Sequence, residues 1–337
     1  MEKLTDKVVE LVEKAMEGNG LSFDEMEYLY GVDPLSRDSY LIRWAAHQMS
    51  MAATDGKAEI HAQIGLNGSP CGKNCKFCSF AVCNGLVKEK MELAADDVRY
   101  YCDEYMEAGA NLILMLTTAS YPFEKILEMT EVARGVIGDE MPLLINTGDM
   151  TLEQTRQLKA AGIDGCYHAV RMREGEDTGI EVSTRLETLV NIHEAGLSLS
   201  TCVEPVGPEH SAHEIAEASK LCMDSHAMSA GVGRRITVEG TQVEPRGQIS
   251  DMVNSLYVAV YGLTTGFKPA LNCAVSSPIS AVSGGNLCWA EVGANPRDTV
   301  DLTENGGRGA GVERCRSEYE KAGWEVLGGP SRGWKLD

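Results

Sequence analysis

Cys71, Cys75 and Cys78 stand in the run Ser69-Pro70-Cys71-Gly72-Lys73-Asn74-Cys75-Lys76-Phe77-Cys78, a C-x3-C-x2-C spacing. Three thiolates on one short loop can hold three irons of a [4Fe–4S] cube, because cluster ligands are cysteine thiolates on tight local runs. A cube that only passes electrons takes a fourth cysteine. The local run stops at three, which leaves one iron open to a ligand that is not protein. A zinc site would use C-x2-C pairs with a second pair or two histidines at matching spacing, and none follows. A disulfide framework belongs to small chains in oxidising compartments. Cys83 lies just past the run, but a fourth ligand there would close the open iron.

The rest of the composition agrees. The chain has 337 residues and is 43% hydrophobic, enough for one large barrel or two smaller domains. No apolar run is long enough to span a bilayer, and the first residues lack the apolar core of a signal peptide. Eleven cysteines, an odd number, with no export signal point to a reducing cytoplasm. The net charge of −20 disfavours nucleic acid, whose phosphates need a basic face, and reads as a solvated acidic surface. The fifteen methionines are soft core filler.

These cysteines need a scaffold, and the pattern of the chain names one. Residues 1–55 are helical in period, with Leu4, Val8, Leu11, Val12 and Met16 on one face. Ser22 and Glu25 have capping-box spacing. Strand-length apolar runs follow at 60–66, 111–118, 143–147, 166–170, 197–203, 233–238, 270–275 and 289–292. Helix-like stretches lie between them, such as 152–161 and 185–195. Several stop at Ala-Gly, with Gly109, Gly162 and Gly196 as the breakers. Alternating strand and helix means a parallel sheet with helices outside. Eight units predict an α/β fold, a (β/α)8 TIM-type barrel over 56–300 with an N-terminal helical extension over 1–55. An open six-unit barrel is the alternative. Residues 301–337 read as a glycine-rich tail around one helix, 312–322. The active site of such a barrel lies at the carboxyl ends of its strands. The cysteine loop directly follows the first of them.

The cysteine spacing, with Phe77 just before the last thiol, resembles the radical S-adenosylmethionine (SAM) superfamily. Arg185-Leu186-Glu187-Thr188-Leu189 followed by His193-Glu194-Ala195-Gly196-Leu197 is similar to a segment of biotin synthase. Val238-Glu239-Gly240-Thr241-Gln242-Val243-Glu244 resembles the turn after that family's sixth strand. The stretch from Leu287 to Asn295 resembles its last strand. The wider branch includes the SAM maturase of [FeFe]-hydrogenase and 3-methylornithine synthase. The resemblance implies that SAM chelates the open iron through its amino and carboxylate groups. It also implies one-electron cleavage to a 5′-deoxyadenosyl radical, which abstracts hydrogen from a small molecule in cofactor or amino-acid-type biosynthesis. An electron donor such as ferredoxin or flavodoxin is then the expected partner, with no nucleic acid and no membrane.

Departures from biotin synthase shape the expectation. That enzyme holds a sulfur-donating [2Fe–2S] cluster on three barrel cysteines and an arginine. Leu114, Leu144 and Ser200 fall at the cysteine positions here, and the arginine position falls near Pro278. Leucine cannot bind iron. The resemblance therefore leans towards the branch without a sulfur donor. Cys166, Cys202, Cys273 and Cys288 lie on or beside strands and keep open a sulfur-insertion enzyme with a displaced second cluster. A non-catalytic iron–sulfur scaffold or electron carrier is the third possibility.

Roles follow from what SAM presents. Its carboxylate calls for an arginine fork, and Arg171 and Arg185 are the candidates. Its amino group calls for acceptors, which Thr117 and Thr118 offer. Phe77 is expected on the adenine, and Glu204 on ribose hydroxyls or a substrate amine. For the substrate, the candidates are Tyr167, His168, Arg234, Arg235 and Asn272. Strand alternation predicts that one of Arg234 and Arg235 points inward and the other outward.

Overall fold

The computed structural model describes residues 3–299, 303 and 309–334. Three helices come first: α1 (Asp6–Met16), α2 (Phe23–Tyr30) and α3 (Arg37–Ala53). Ser22 and Glu25 form the expected reciprocal capping box on α2. On α1, Val8, Leu11, Val12 and Ala15 are buried, whereas Met16 stays 41% exposed, so the buried stripe ends on Ala15.

Eight strands follow: β1 (Lys57–Gly65), β2 (Leu112–Leu116), β3 (Leu143–Asn146), β4 (Gly165–Tyr167), β5 in two pieces (Ser198–Ser200 and Val203–Val206), β6 (Ser229–Arg234), β7 (Leu271–Cys273) and β8 (Leu287–Gly293). Each pairs in parallel with its neighbour, and β8 returns to β1, so the sheet closes. The outer helices are α4 (Ala95–Glu107), α5 (Phe123–Ile137), α6 (Leu152–Ala160), α7 (Val182–Glu194), α8 (Ala212–Asp224), α9 (Asp251–Thr265), α10 (Pro278–Ala281) and α11 (Val312–Lys321). The Ala-Gly stops are real: Gly109, Gly162 and Gly196 sit at φ of 78°, 100° and 70°. This is the expected (β/α)8 barrel.

The sixth strand starts four residues earlier than its apolar run, at Ser229 rather than 233. Its small residues are needed for contact. A Cβ on Gly231 would sit 2.0 Å from the carbonyl oxygen of Cys273 on β7. Backbone approach, not side-chain hydrophobicity, sets this strand.

Two cores result. On β1, Ala58, Ile60, Ala62 and Ile64 face the helices. Inside the barrel, Leu112, Leu114, Leu116, Leu144, Leu271 and Leu287 pack with Trp334 from the chain's end. That end does more than trail away. A short strand β9 (Glu325–Val326) pairs with β1. Asn111 Nδ2 then donates to Leu327 O (2.8 Å) and Gly329 O (2.7 Å). Trp334 closes the barrel floor. Of the expected glycine-rich loop, residues 305–308 lie outside the described residues. The N-terminal helices pack on α8 and α9: Arg43, 3% exposed, donates from Nε to Ser255 Oγ (3.0 Å) and from NH2 to Met252 O (2.6 Å). Among the described residues no helix is long and apolar enough to cross a membrane.

Candidate active site

The cysteine loop leaves the top of β1. Its base is pinched by a short antiparallel ladder between Asn67–Gly68 and Met91–Glu92. Within the loop, Cys71 N–H donates to Phe80 O (2.7 Å), Val82 N–H to Cys71 O (3.1 Å) and Cys78 N–H to Cys75 O (2.9 Å). Asn74 takes a left-handed φ of 52°, which asparagine tolerates, and turns the chain between the first two thiols. The barrel holds the loop from two sides. Ser79 donates from N–H and Oγ to Pro296 O (2.8 and 2.9 Å). The segment after β4 contributes Asp177 O, which accepts from Lys76 N–H (2.8 Å), and Gly179 N–H, which donates to Lys73 O (2.6 Å).

All three thiols are unpaired and half-buried. Burial pushes Cys75 up to about 11 and Cys78 up to about 12. Iron binding, not the free loop, would therefore generate the thiolates, with release of protons. Among the described residues no group of three His, Cys, Asp or Glu side chains converges tightly enough for one metal ion. A cube needs thiolates spread over separate irons, and a pinned three-thiol loop suits that donor set.

Below the loop opens a cavity of about 590 Å³ at the carboxyl ends of the strands. Phe77 lines it, with Tyr167, Arg171 and Glu204 on the β4–β5 side. Tyr167 Oη donates to Glu204 Oε1 (2.6 Å), and Arg171 Nε lies 3.5 Å from the same oxygen. Burial works against the Arg171 charge, and Glu204 together with Tyr167, Cys75 and Glu174 more than offsets it. The backbone of Arg171 is fixed too: its N–H donates to Glu174 Oε2 (2.9 Å).

Arg185 is not a surface residue, nor does it line the cavity. It is 7% exposed and donates to Asp149 Oδ1 and Glu174 Oε2, both at 3.1 Å. His168 sits in the same layer, with Nε2 3.7 Å from Asp149 Oδ1 and no hydrogen-bond partner among the described residues. Burial and then the charge of Arg185 hold it well below the ordinary histidine range, so it is neutral. Thr117 and Thr118 directly follow β2 at the loop's base. Thr117 Oγ donates to Thr147 Oγ (2.7 Å), and Thr118 Oγ accepts from Asn67 Nδ2 (2.9 Å).

Arg234 and Arg235 both line the cavity, against the expected alternation. Arg234 is the last residue of β6 and Arg235 lies beyond it, where strand alternation no longer applies. Arg234 NH1 pairs with Asp251, and Arg235 is clamped by Glu209 at 2.5 and 2.9 Å. Asn272 faces away from the cavity, with Nδ2 donating to Val258 O (3.1 Å) and Gly284 O (3.2 Å).

Of the four strand cysteines, Cys202 and Cys273 line the cavity. Cys166 belongs to the outer core, and Cys288 lies in that core with Cys315 of α11. Leu114 and Leu144 are in the barrel core, and Ser200 Oγ is within 2.8 Å of Ser229 Oγ. Pro278 opens α10 and is not in the cavity wall.

Sequence reasoning missed Gln63, Trp289, Glu291, Asn295, Arg297 and Arg314, all in the cavity wall. Gln63 had a visible signal: polar residues alternate with Ala58, Ile60, Ala62 and Ile64 along β1. The others come from β8 and from segments whose approach only the closed barrel creates.

No family model matches the chain. Curated relatives are biotin synthases. That of Chromohalobacter salexigens is 27% identical over 319 residues, 90% of this chain and 82% of that enzyme. That of Synechococcus sp. is 26% identical over 215 residues, 60% of this chain and 64% of the enzyme's own length. In fold, methylornithine synthase superposes with a TM-score of 0.78 at 15% identity, covering 96% of this chain and 98% of that one. HydG from Carboxydothermus hydrogenoformans, a maturase of the FeFe-hydrogenase, gives 0.70 at 16% identity over 88% of this chain and 75% of its own. With a three-cysteine loop over a closed parallel barrel, the chain resembles the radical SAM superfamily, being similar in sequence to biotin synthases and in fold to methylornithine synthase and HydG.

Proposed function

We propose that the chain is a radical SAM enzyme acting on a small molecule in a biosynthetic reaction. The observation that carries this is the pinned Cys71–Cys75–Cys78 loop facing a deep cavity at the carboxyl ends of the strands. Cys71, Cys75 and Cys78 hold the [4Fe–4S] cluster. Arg171 receives the carboxylate of SAM, trading its long contact with Glu204 for a charge-assisted fork. Glu204, released, accepts from ribose hydroxyls while Tyr167 keeps it oriented. Phe77 covers the adenine, and the Thr117–Thr118 strand end supplies acceptors near the amino group. Leu114, Leu116 and Trp289 make the cavity's apolar wall and keep water from the reacting carbon. When bound, the cluster and SAM supply one-electron cleavage and hydrogen abstraction by a 5′-deoxyadenosyl radical. An external donor of ferredoxin or flavodoxin type provides the electron.

The test is anaerobic reconstitution with iron, sulfide, SAM and a reductant. Formation of 5′-deoxyadenosine with about four irons per chain supports the reading. No 5′-deoxyadenosine, with or without metabolite extract, sinks it. The Cys202→Ser and Cys273→Ser double variant keeps iron near that level, because two cavity thiols are too few to cage a second cluster. Loss of iron beyond the cube, or of product while SAM is still cleaved, would instead favour sulfur insertion.

A further inference from the structure

The charges in the cavity wall are unequal. Five arginines line it against two carboxylates of the wall itself, and Asp251 and Glu209 behind the wall pair with Arg234 and Arg235, in a chain whose net charge is −20. Both wall carboxylates are already engaged. Glu204 holds Tyr167 and faces Arg171. Glu291 accepts from Asn295 Nδ2 (2.9 Å) and pairs with Arg297 NH2. Among the described residues, the wall offers no further carboxylate, lysine or histidine.

The donors on the β6–β8 side are only partly used. Arg234 pairs through NH1 with Asp251, whose side chain is 60% exposed, while its buried Nε has no partner among the described residues. Arg297 pairs through NH2, and its buried Nε also has none among the described residues. Arg314 of α11 makes no hydrogen bond or ion pair among the described residues. A buried N–H without an acceptor is costly, so this side of the cavity calls for an acceptor from a ligand. Leu114, Leu116, Val232 and Trp289 present apolar surface in the same cavity.

Resting on the proposed function, we infer that the substrate is an organic oxyanion, an apolar body ending in a carboxylate or phosphate, with no ammonium group. Its oxyanion seats against Arg234, Arg297 and Arg314, and its carbon chain lies along Trp289 and Leu116. A diamino acid does not fit, because its second ammonium would meet guanidinium groups and no unengaged carboxylate. Guanidinium forks match carboxylate and phosphate alike. Arg314, with no carboxylate partner among the described residues, leaves an excess positive charge that draws anions to the mouth.

The experiment is calorimetric titration of the reconstituted full chain, with SAM present, by hexanoate, adipate, inorganic phosphate, ornithine and putrescine. SAM cleavage is measured in the same samples. Adipate or hexanoate is expected to bind, and putrescine and ornithine are not. Stronger binding of phosphate than of adipate would name a phosphate ester as the source of the oxyanion. Arg314→Gln and Arg297→Gln each weaken anion binding roughly tenfold, the loss of one charge-assisted hydrogen bond. Arg314→Lys retains most of it, and because Arg314 is exposed this pair reports on charge without disturbing the fold. Tighter binding of putrescine or ornithine, binding of no anion, or anion affinity indifferent to Arg314→Gln and Arg297→Gln overturns the inference. If SAM is cleaved while the anions fail to bind, only the inference falls. If anions bind and SAM is not cleaved, the enzymatic reading falls instead.

Discussion

The two sides of the cavity handle charge in opposite ways. On the β4–β5 side, the cavity-lining Arg171, Glu204 and Tyr167 engage one another, and Arg185, Asp149 and Glu174 pair behind them, where Asp149 Oδ2 and His168 Nε2 are the buried atoms without a hydrogen bond among the described residues. On the β6–β8 side, Arg234 and Arg297 keep buried N–H groups without partners among the described residues. A side chain whose hydrogen bonds are all used holds geometry. One with donors to spare is prepared for a ligand that arrives and leaves. The first side adjoins the cysteine loop, where position matters throughout the reaction. The second lies where a variable substrate must enter.

Breaking the first side at the loop should have the largest effect. Single Cys71→Ala, Cys75→Ala or Cys78→Ala variants are expected to lose the cluster's visible absorbance and all SAM cleavage, since a cube on two thiolates is labile. A triple variant that still forms 5′-deoxyadenosine would remove the loop from the chemistry. Next comes the layer behind. Arg185→Leu leaves Asp149 and Glu174 buried without their cation, a loss of about 3–5 kcal/mol. Chemical denaturation measures it, and a cost near that of a surface pair, about 0–1 kcal/mol, would show that the layer does not hold the wall.

Arg171→Leu sharpens the contrast between the two arginines of this side. It should leave iron content and fold intact while weakening SAM binding roughly ten- to a hundredfold, the loss of a charge-assisted hydrogen bond. Equilibrium dialysis with SAM checks it. An unchanged dissociation constant would place Arg171 with Arg185, as a scaffold group.

Much of this was legible beforehand because it is local. The C-x3-C-x2-C spacing, the Ser22–Glu25 cap and the Ala-Gly stops are read within a few residues. So are β1 to β5, β7 and β8, whose apolar runs announce them. What was not legible depends on closure. Gly231 makes β6 a strand only because the Cys273 backbone comes so close. Arg234 and Arg235 escape alternation because the strand ends between them. Asn272 turns towards α9, a direction set by helix packing rather than by its neighbours in sequence. Arg297 and the Trp334 floor reach the barrel from segments that read as loop or tail, and Arg314 from the one helix within that tail. A lone arginine in a loop carries no sign of the cavity it will face.

The smallest effect expected joins the two sides. Glu209 clamps Arg235 on the β6 side, and Arg246 bridges Glu209 to Asp177, which pairs with Lys76 of the cysteine loop at 3.3 Å. Burial raises the Glu209 carboxyl, but Arg235, a backbone hydrogen bond and Arg246 together outweigh it and hold the group down to about 2 from an ordinary 4.5. The folded value lies below the unfolded one. The stabilisation is therefore fully present above pH 4.5 and is lost as pH falls towards about 2. Glu209→Gln should lower the melting temperature modestly at neutral pH and flatten its decline across that acid window. Asp177, also held low against burial by Arg246, titrates on the same side and keeps the decline from vanishing. Melting curves of both proteins at several pH values decide it. If they stay parallel through the acid window, Glu209 does not clamp Arg235 in solution, and the two sides of the cavity are joined by the backbone alone.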